Sequence, residues 1–154
     1  MNTQTHSHHG HSANGNSLVT SAQATLHCLI GCVIGEVAGL MIGITLGLGV
    51  WISMGLATIL AFASGMTLGL IPVARRENVS MLKALQIIWI GEVFSIGVME
   101  LVMNAVDYSV GGVQAGSIFE SVFWIGIAAA IPAGFLAAWP VNWWLLKRNL
   151  KACH

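Results

Sequence analysis

The segment from Leu26 to Gly49, LHCLIGCVIGEVAGLMIGITLGLG, decides the fold. It is long and apolar enough to cross a bilayer, for which a helix needs about 20 mostly apolar residues. It is interrupted by His27, Cys28, Cys32 and Glu36. On a helix that advances about 100° per residue, Cys28, Cys32 and Glu36 recur every fourth position and form one slowly drifting stripe. Gly31, Gly35, Gly39, Gly43 and Gly47 form a second stripe beside it. Glycines let another backbone approach closely, so this face is expected to meet a second helix, with the thiols and the carboxylate turned into the interface.

Composition places the rest of the chain in the same setting. Of 154 residues 56% are hydrophobic and only 8% charged, against about a quarter charged in soluble domains. The expected class is an all-α integral membrane protein whose main partner is the lipid bilayer. A formal net charge of zero gives no footprint for nucleic acid. Three cysteines, two of them inside one helix and Cys153 near the C-terminus, do not make a disulfide framework and read as free thiols or ligands. The residues before the first apolar run hold no Lys or Arg, so no cleavable signal is expected.

Four transmembrane helices are expected, at about 24–49, 52–73, 82–106 and 118–146. They form one domain, 23–146, between a tail (1–22) and a basic C-terminus (147–154). The tail is polar and is expected to be disordered. Its His6, His8, His9 and His11 form an accessory group able to collect a metal ion. Val50 to Met54 is short enough only for a tight hairpin. The second span carries Ser53, Ala57, Ala61, Ser64 and Gly65 for close packing. ARRENVSMLK and LLKRNLK together contain all six basic residues. The positive-inside rule therefore puts both segments, and with them both termini, on the cytoplasmic side of an inner (cytoplasmic) membrane.

The third span is two-faced. Gln86, Glu92, Ser95, Met99, Glu100, Met103, Asn104 and Asp107 fall on one half of the helical wheel, and Ile87, Ile90, Phe94, Val98, Leu101 and Ala105 on the other. A charge at the bilayer centre costs at least about 2.5–3.5 kcal/mol, so the polar half faces inward. Pro132 is expected to kink the fourth span, and Trp139, Trp143 and Trp144 to anchor it at the interface.

These residue types narrow the chemistry. Cys28 and Cys32 are one helical turn apart and can converge on one ion. Thiolate and thioether ligands select Cu(I) or similarly soft ions, and Met99 and Met103 share one face of the third span. The expected metal ligands are Cys28, Cys32, His27, Met99 and Met103, with copper as the metal. Glu36, Glu92 and Glu100 are the expected proton or cation relay, since no basic residue lies inside any span to balance them. No hydrolase triad, phosphate loop or nucleotide fingerprint is present, so the chain does not read as an enzyme.

With those residues in view, the chain resembles a prokaryotic membrane-protein family catalogued as domain of unknown function 4396. The resemblance covers about Ala24 to Leu146. It rests on LHCLIGCVIGEVAG in the first span, on Met99-Glu100 with Asn104 and Asp107 in the third, and on Pro140, Val141, Asn142 and Trp143 in the fourth. It implies no established activity, although some members bear names that link them to copper proteins. The leading expectation is thus a small membrane protein that binds or transports a soft transition metal. A thiol-redox or electron-transfer protein and a non-catalytic assembly subunit are the alternatives. A homo-oligomer or a membrane partner is expected to form through the glycine stripe.

Overall fold

The computed structural model describes residues 13–148, which fold into four helices: α1 (Ala13–Thr45), α2 (Val50–Glu77), α3 (Met81–Val110) and α4 (Ser121–Lys147). The four tail histidines and Cys153 lie outside the described residues. Each helix contains a stretch long and apolar enough to cross a membrane: Leu18–Thr45, Val50–Arg75, Ile88–Val110 and Ser121–Lys147. This is the build of a multi-pass membrane protein.

The helices stop where the sequence supplies a left-handed residue. Gly47, at φ +65°, ends α1, with the Leu48 N–H donating to the Gly43 carbonyl at 2.8 Å. Gly111, at φ +94°, ends α3. Between α2 and α3 the chain turns at Asn78 in the left-handed region, and Ser80 caps α3 by accepting from the Lys83 N–H at 3.4 Å. Short connections force neighbouring helices to run antiparallel. α1 packs on α2 and α4, α3 packs on the same two, and α1 and α3 meet across the centre of the bundle. The hairpin connections 46–49 and 111–120 therefore lie at one end of the bundle, and the turn at 78–80 lies at the other, with the outer ends of α1 and α4.

The glycine stripe is used inside the chain. Gly31, Gly35, Gly39 and Gly43 are buried against Gly65, Leu60–Ala61, Ala57 and Ser53 of α2. A Cβ added at Gly31 would come within 2.7 Å of the Gly65 Cα, and one at Gly39 would run into Ala57. Ser64 of α2 donates to the Gly31 carbonyl at 2.7 Å across this contact. The small-residue stripes of the first two spans are therefore two halves of one intrachain interface, and the expected surface for a second copy is already covered. Gly47 is not part of it: a Cβ added there would meet nothing within 4 Å, and its role is to turn the chain.

Two further expectations change. Residues 13–22, placed in a disordered tail by their composition, are helical, because Ser21 and Thr25 are buried against α4. Gln86 is exposed although Ala84 and Ile88 are buried, because about 200° of helical rotation from either turns it to the outer side of α3. α4 continues as a helix through both Pro132 and Pro140. The proline rings leave the Ala128 and Leu136 carbonyls without their usual helical donors.

Candidate functional site

α1 and α3, the diagonal pair, direct a file of polar side chains along the bundle axis. From α1 come Cys28, Cys32 and Glu36, and from α3 come Glu92, Ser95, Glu100 and Asp107; each is at most 5% exposed. The order along the two helices matches because they run in the same direction. The Cys28 thiol donates to Glu92 Oε2 at 3.8 Å. Cys32 lies within side-chain reach of both Cys28 and Glu100. Glu36 in turn is near Glu100 and Asp107. With a rise of about 1.5 Å per residue, Glu92 and Asp107 are about 22 Å apart along α3, most of the ~30 Å hydrocarbon thickness.

The surroundings explain how the file fits. Gly65 of α2 leaves room for Cys32, whose Sγ would be 3.0 Å from a Cβ placed there. Gly69 faces the Glu92 carboxyl in the same way, at 3.4 Å. Met99 and Met103 are fully buried and pack into the space opened by Gly134 of α4, where an added Cβ would sit 2.8 Å from the Met103 Sδ. Cys28, Cys32, Met99 and Met103 belong to one core cluster with Leu29, Ala61, Ile96, Ala130 and Ala138. The expected thiol and thioether residues are therefore brought together. His27 is not: it is exposed, and its Nε2 lies 3.1 Å from the Leu68 carbonyl of α2. Among the described residues no group of three or more His, Cys, Asp or Glu side chains is arranged to hold a metal ion.

Partners thin out along the file. Asn104 donates to Glu100 Oε2 at 3.5 Å and also to Thr58 Oγ1 of α2 at 3.1 Å. Asp107 accepts from the Val113 N–H and wedges between Gly112 and Gly126, which draws the 111–120 connection onto α4. Even so, Glu36 Oε2, Ser95 Oγ, Glu100 Oε1 and Asp107 Oδ1 are buried without a hydrogen-bond partner. Four orphaned oxygens on one axis depart from the general pairing of buried polar groups.

The sequence matches the family described as a domain of unknown function, DUF4396, over residues 19–151. The chain belongs to the DUF4396 family. No curated protein and no solved structure matches it. The matched region of this DUF4396 chain contains the whole polar file and all four helices' candidate spans except for Leu18.

A second buried polar group, missed at the sequence level, joins α1 to α4. Asn142 Nδ2 donates to Thr25 Oγ1 at 2.7 Å, Thr25 donates to the Ser21 carbonyl at 2.7 Å, and the Trp139 indole N–H donates to Ser21 Oγ at 3.1 Å. Trp139 is thus tied into the core as well as standing near the interface. Its signal was the spacing 21, 25, 28, 32, 36, which extends the Cys–Glu stripe of α1 by two turns. Trp144 is exposed and Trp143 half-buried, with Lys147 over the Trp143 ring at 3.7 Å and Arg148 over the Trp144 ring at 5.1 Å. Exposed Trp51, stacked on Tyr108 at 5.7 Å, and exposed Trp124 supply aromatic side chains at the opposite, hairpin end.

Proposed function

We propose that this protein binds or moves a soft transition-metal ion, Cu(I), at the Cys28–Cys32 pair, with both termini in the cytoplasm. Orientation is supported by charge: all six Lys and Arg residues lie near the 78–80 turn or at the C-terminus, and connections 46–49 and 111–120 contain none. The observation that carries the metal reading is the juxtaposition of two buried thiols with two carboxylates, Glu92 beside Cys28 and Glu100 beside Cys32. Cu(I) is satisfied by two sulfur ligands, so it needs no larger preformed group of His, Cys, Asp or Glu. Binding replaces two thiol protons and leaves a bis-thiolate with one negative charge; Glu92 and Glu100 stand where those protons are released. Met99 and Met103 give further soft contacts in the same cluster.

The test is metal content after copper-supplemented growth and purification in detergent under reducing conditions. All variants would carry His6, His8, His9 and His11 changed to Ala, so that the tail does not answer for the core. Retained copper that is lost in Cys28→Ser/Cys32→Ser supports the reading; equal copper in both proteins overturns it. The same thiol contact supports a second reading, a two-thiol redox couple. Reversible oxidation of Cys28 and Cys32 in a metal-free protein would favour that alternative.

A further inference from the structure

A groove of about 530 Å³ runs along the outer face of α3 from Trp89 to Leu101, with Ile90, Phe94 and Gly97 between them. That volume falls within the range of about 300–1,000 Å³ common to small-molecule sites. Ile90, Phe94 and Leu101 are 55%, 56% and 73% exposed, so the groove opens away from the bundle. Gly97 lines it without being needed for packing. A Cβ added there would meet only Phe62 Cζ of α2, at an ordinary contact distance of 3.9 Å. Gly31, Gly35, Gly39 and Gly43 are held to glycine by a neighbouring helix; at Gly97 the missing side chain leaves a gap in the lipid-facing wall instead.

The two ends of the groove differ. The candidate span of α3 begins at Ile88, so Lys83 and Gln86, both exposed, stand just outside the hydrocarbon. Lys83 is in phase with Leu101, about five turns away, and Gln86 lies within about 20° of Gly97. Both are therefore on the groove's side of the helix. Arg75 of α2 is exposed near the same turn, and residues 75–83 contain three basic residues and one acid. At about 1.5 Å per residue, Trp89 and Leu101 are about 18 Å apart, slightly more than half the ~30 Å hydrocarbon thickness. The groove thus starts at the headgroup level and descends through one leaflet. A second copy of the chain related by a twofold axis along the membrane normal would set Lys83 against Lys83.

We propose that the α3 groove binds one anionic glycerophospholipid, its phosphate held by Lys83 and Gln86 and one acyl chain lying over Gly97. A cation and an amide at the head of an apolar furrow one leaflet deep match a phosphate joined to a hydrocarbon chain. Trp89 flanks the boundary between them, where an indole ring suits both environments. The site lies on the outside of the bundle and stands whether or not the thiols hold a metal.

The full chain, delipidated in detergent, would be incubated with phosphatidylglycerol or with phosphatidylcholine of identical acyl chains and weighed by native mass spectrometry. It should retain one phosphatidylglycerol per chain, about fivefold more than phosphatidylcholine, the effect of one Lys or Arg beside anionic lipid. Lys83→Gln should bring the two lipids level, whereas Lys147→Gln, an exposed change at the same end of the bundle, should keep the preference. Gly97→Leu fills the groove and should remove retention of both lipids at an unchanged melting temperature. Equal retention of the two lipids by the parent protein, or an undiminished preference in Lys83→Gln or in folded Gly97→Leu, overturns the proposal. Because Lys83 is exposed outside the span, its substitution decides the question even where Gly97→Leu fails to fold. A lipid-free dimer that Gly97→Leu dissociates would assign the face to a second copy and overturn the proposal as well.

Discussion

Two buried polar regions occupy the same bundle and are built in opposite ways. Near the termini, Ser21, Thr25, Trp139 and Asn142 tie α1 to α4 through hydrogen bonds of 2.7–3.1 Å. Along the α1–α3 axis, from the level of the thiols to the hairpin end, Glu36, Ser95, Glu100 and Asp107 each leave an oxygen without a partner. The first region uses neutral hydroxyl, amide and indole groups that satisfy one another. The second uses acids, the costliest groups to bury, with no base in reach. A bundle that can pair its polar groups in one half does not leave them unpaired in the other for want of suitable side chains. The satisfied network holds helices together, whereas the acidic file stores a need for protons, water or metal.

Both regions depend on the position of α1, so the largest effect should come from moving it. Gly35→Leu drives a side chain into the Leu60–Ala61 backbone of α2. Overpacking typically costs about 1–3 kcal/mol, and more where backbone is the obstacle, as here. Thermal unfolding in detergent should show the loss of a folded bundle. A stable Gly35→Leu protein would mean that the α1–α2 contact does not set the position of either region.

Separating the regions takes smaller changes. Asn142→Leu removes the donor to Thr25 and should lower stability by about 1–2 kcal/mol, the upper range for interhelical hydrogen bonds within membranes. Copper retention should be unchanged. Glu100→Met should do the reverse: a buried acid with one oxygen unpartnered is replaced by an apolar side chain of similar size, and Asn104 keeps its bond to Thr58, so stability should rise by about 1 kcal/mol. If Glu100→Met destabilised the protein as Asn142→Leu does, the acid would be a structural member, and the contrast between the two regions would be lost.

The legibility of this arrangement follows the same division. Four apolar runs, the inward polar half of α3 and the Cys28–Cys32–Glu36 stripe were readable because helical periodicity and the bilayer's intolerance of charge act on each helix alone. Pairings were less readable. The glycines of α1 and the small residues of α2 were both visible, but nothing in either stripe says that they face each other and not a second copy. Ser21 falls in the segment expected to be disordered and Thr25 at the start of the first span, because local composition carries no trace of Asn142 and Trp139, more than a hundred residues away. His27 adjoins Cys28 in sequence, yet about 100° of helical rotation turns it away from the axis.

That rotation gives the smallest effect and the finest test of where the file ends. His27 is exposed and its Nε2 is 3.1 Å from the Leu68 carbonyl, a contact that competes with solvent. His27→Ala should therefore change stability by no more than about 0.5 kcal/mol, as for surface substitutions in general. If the metal site is confined to buried sulfur, copper stoichiometry and affinity in His27→Ala should equal those of the parent protein carrying the same tail substitutions. A fall in affinity comparable to that of Cys28→Ser would place an imidazole in the ligand set. The ring would then have to leave Leu68 and turn inward, and the boundary between lipid-facing and axial residues on α1 would shift by one position.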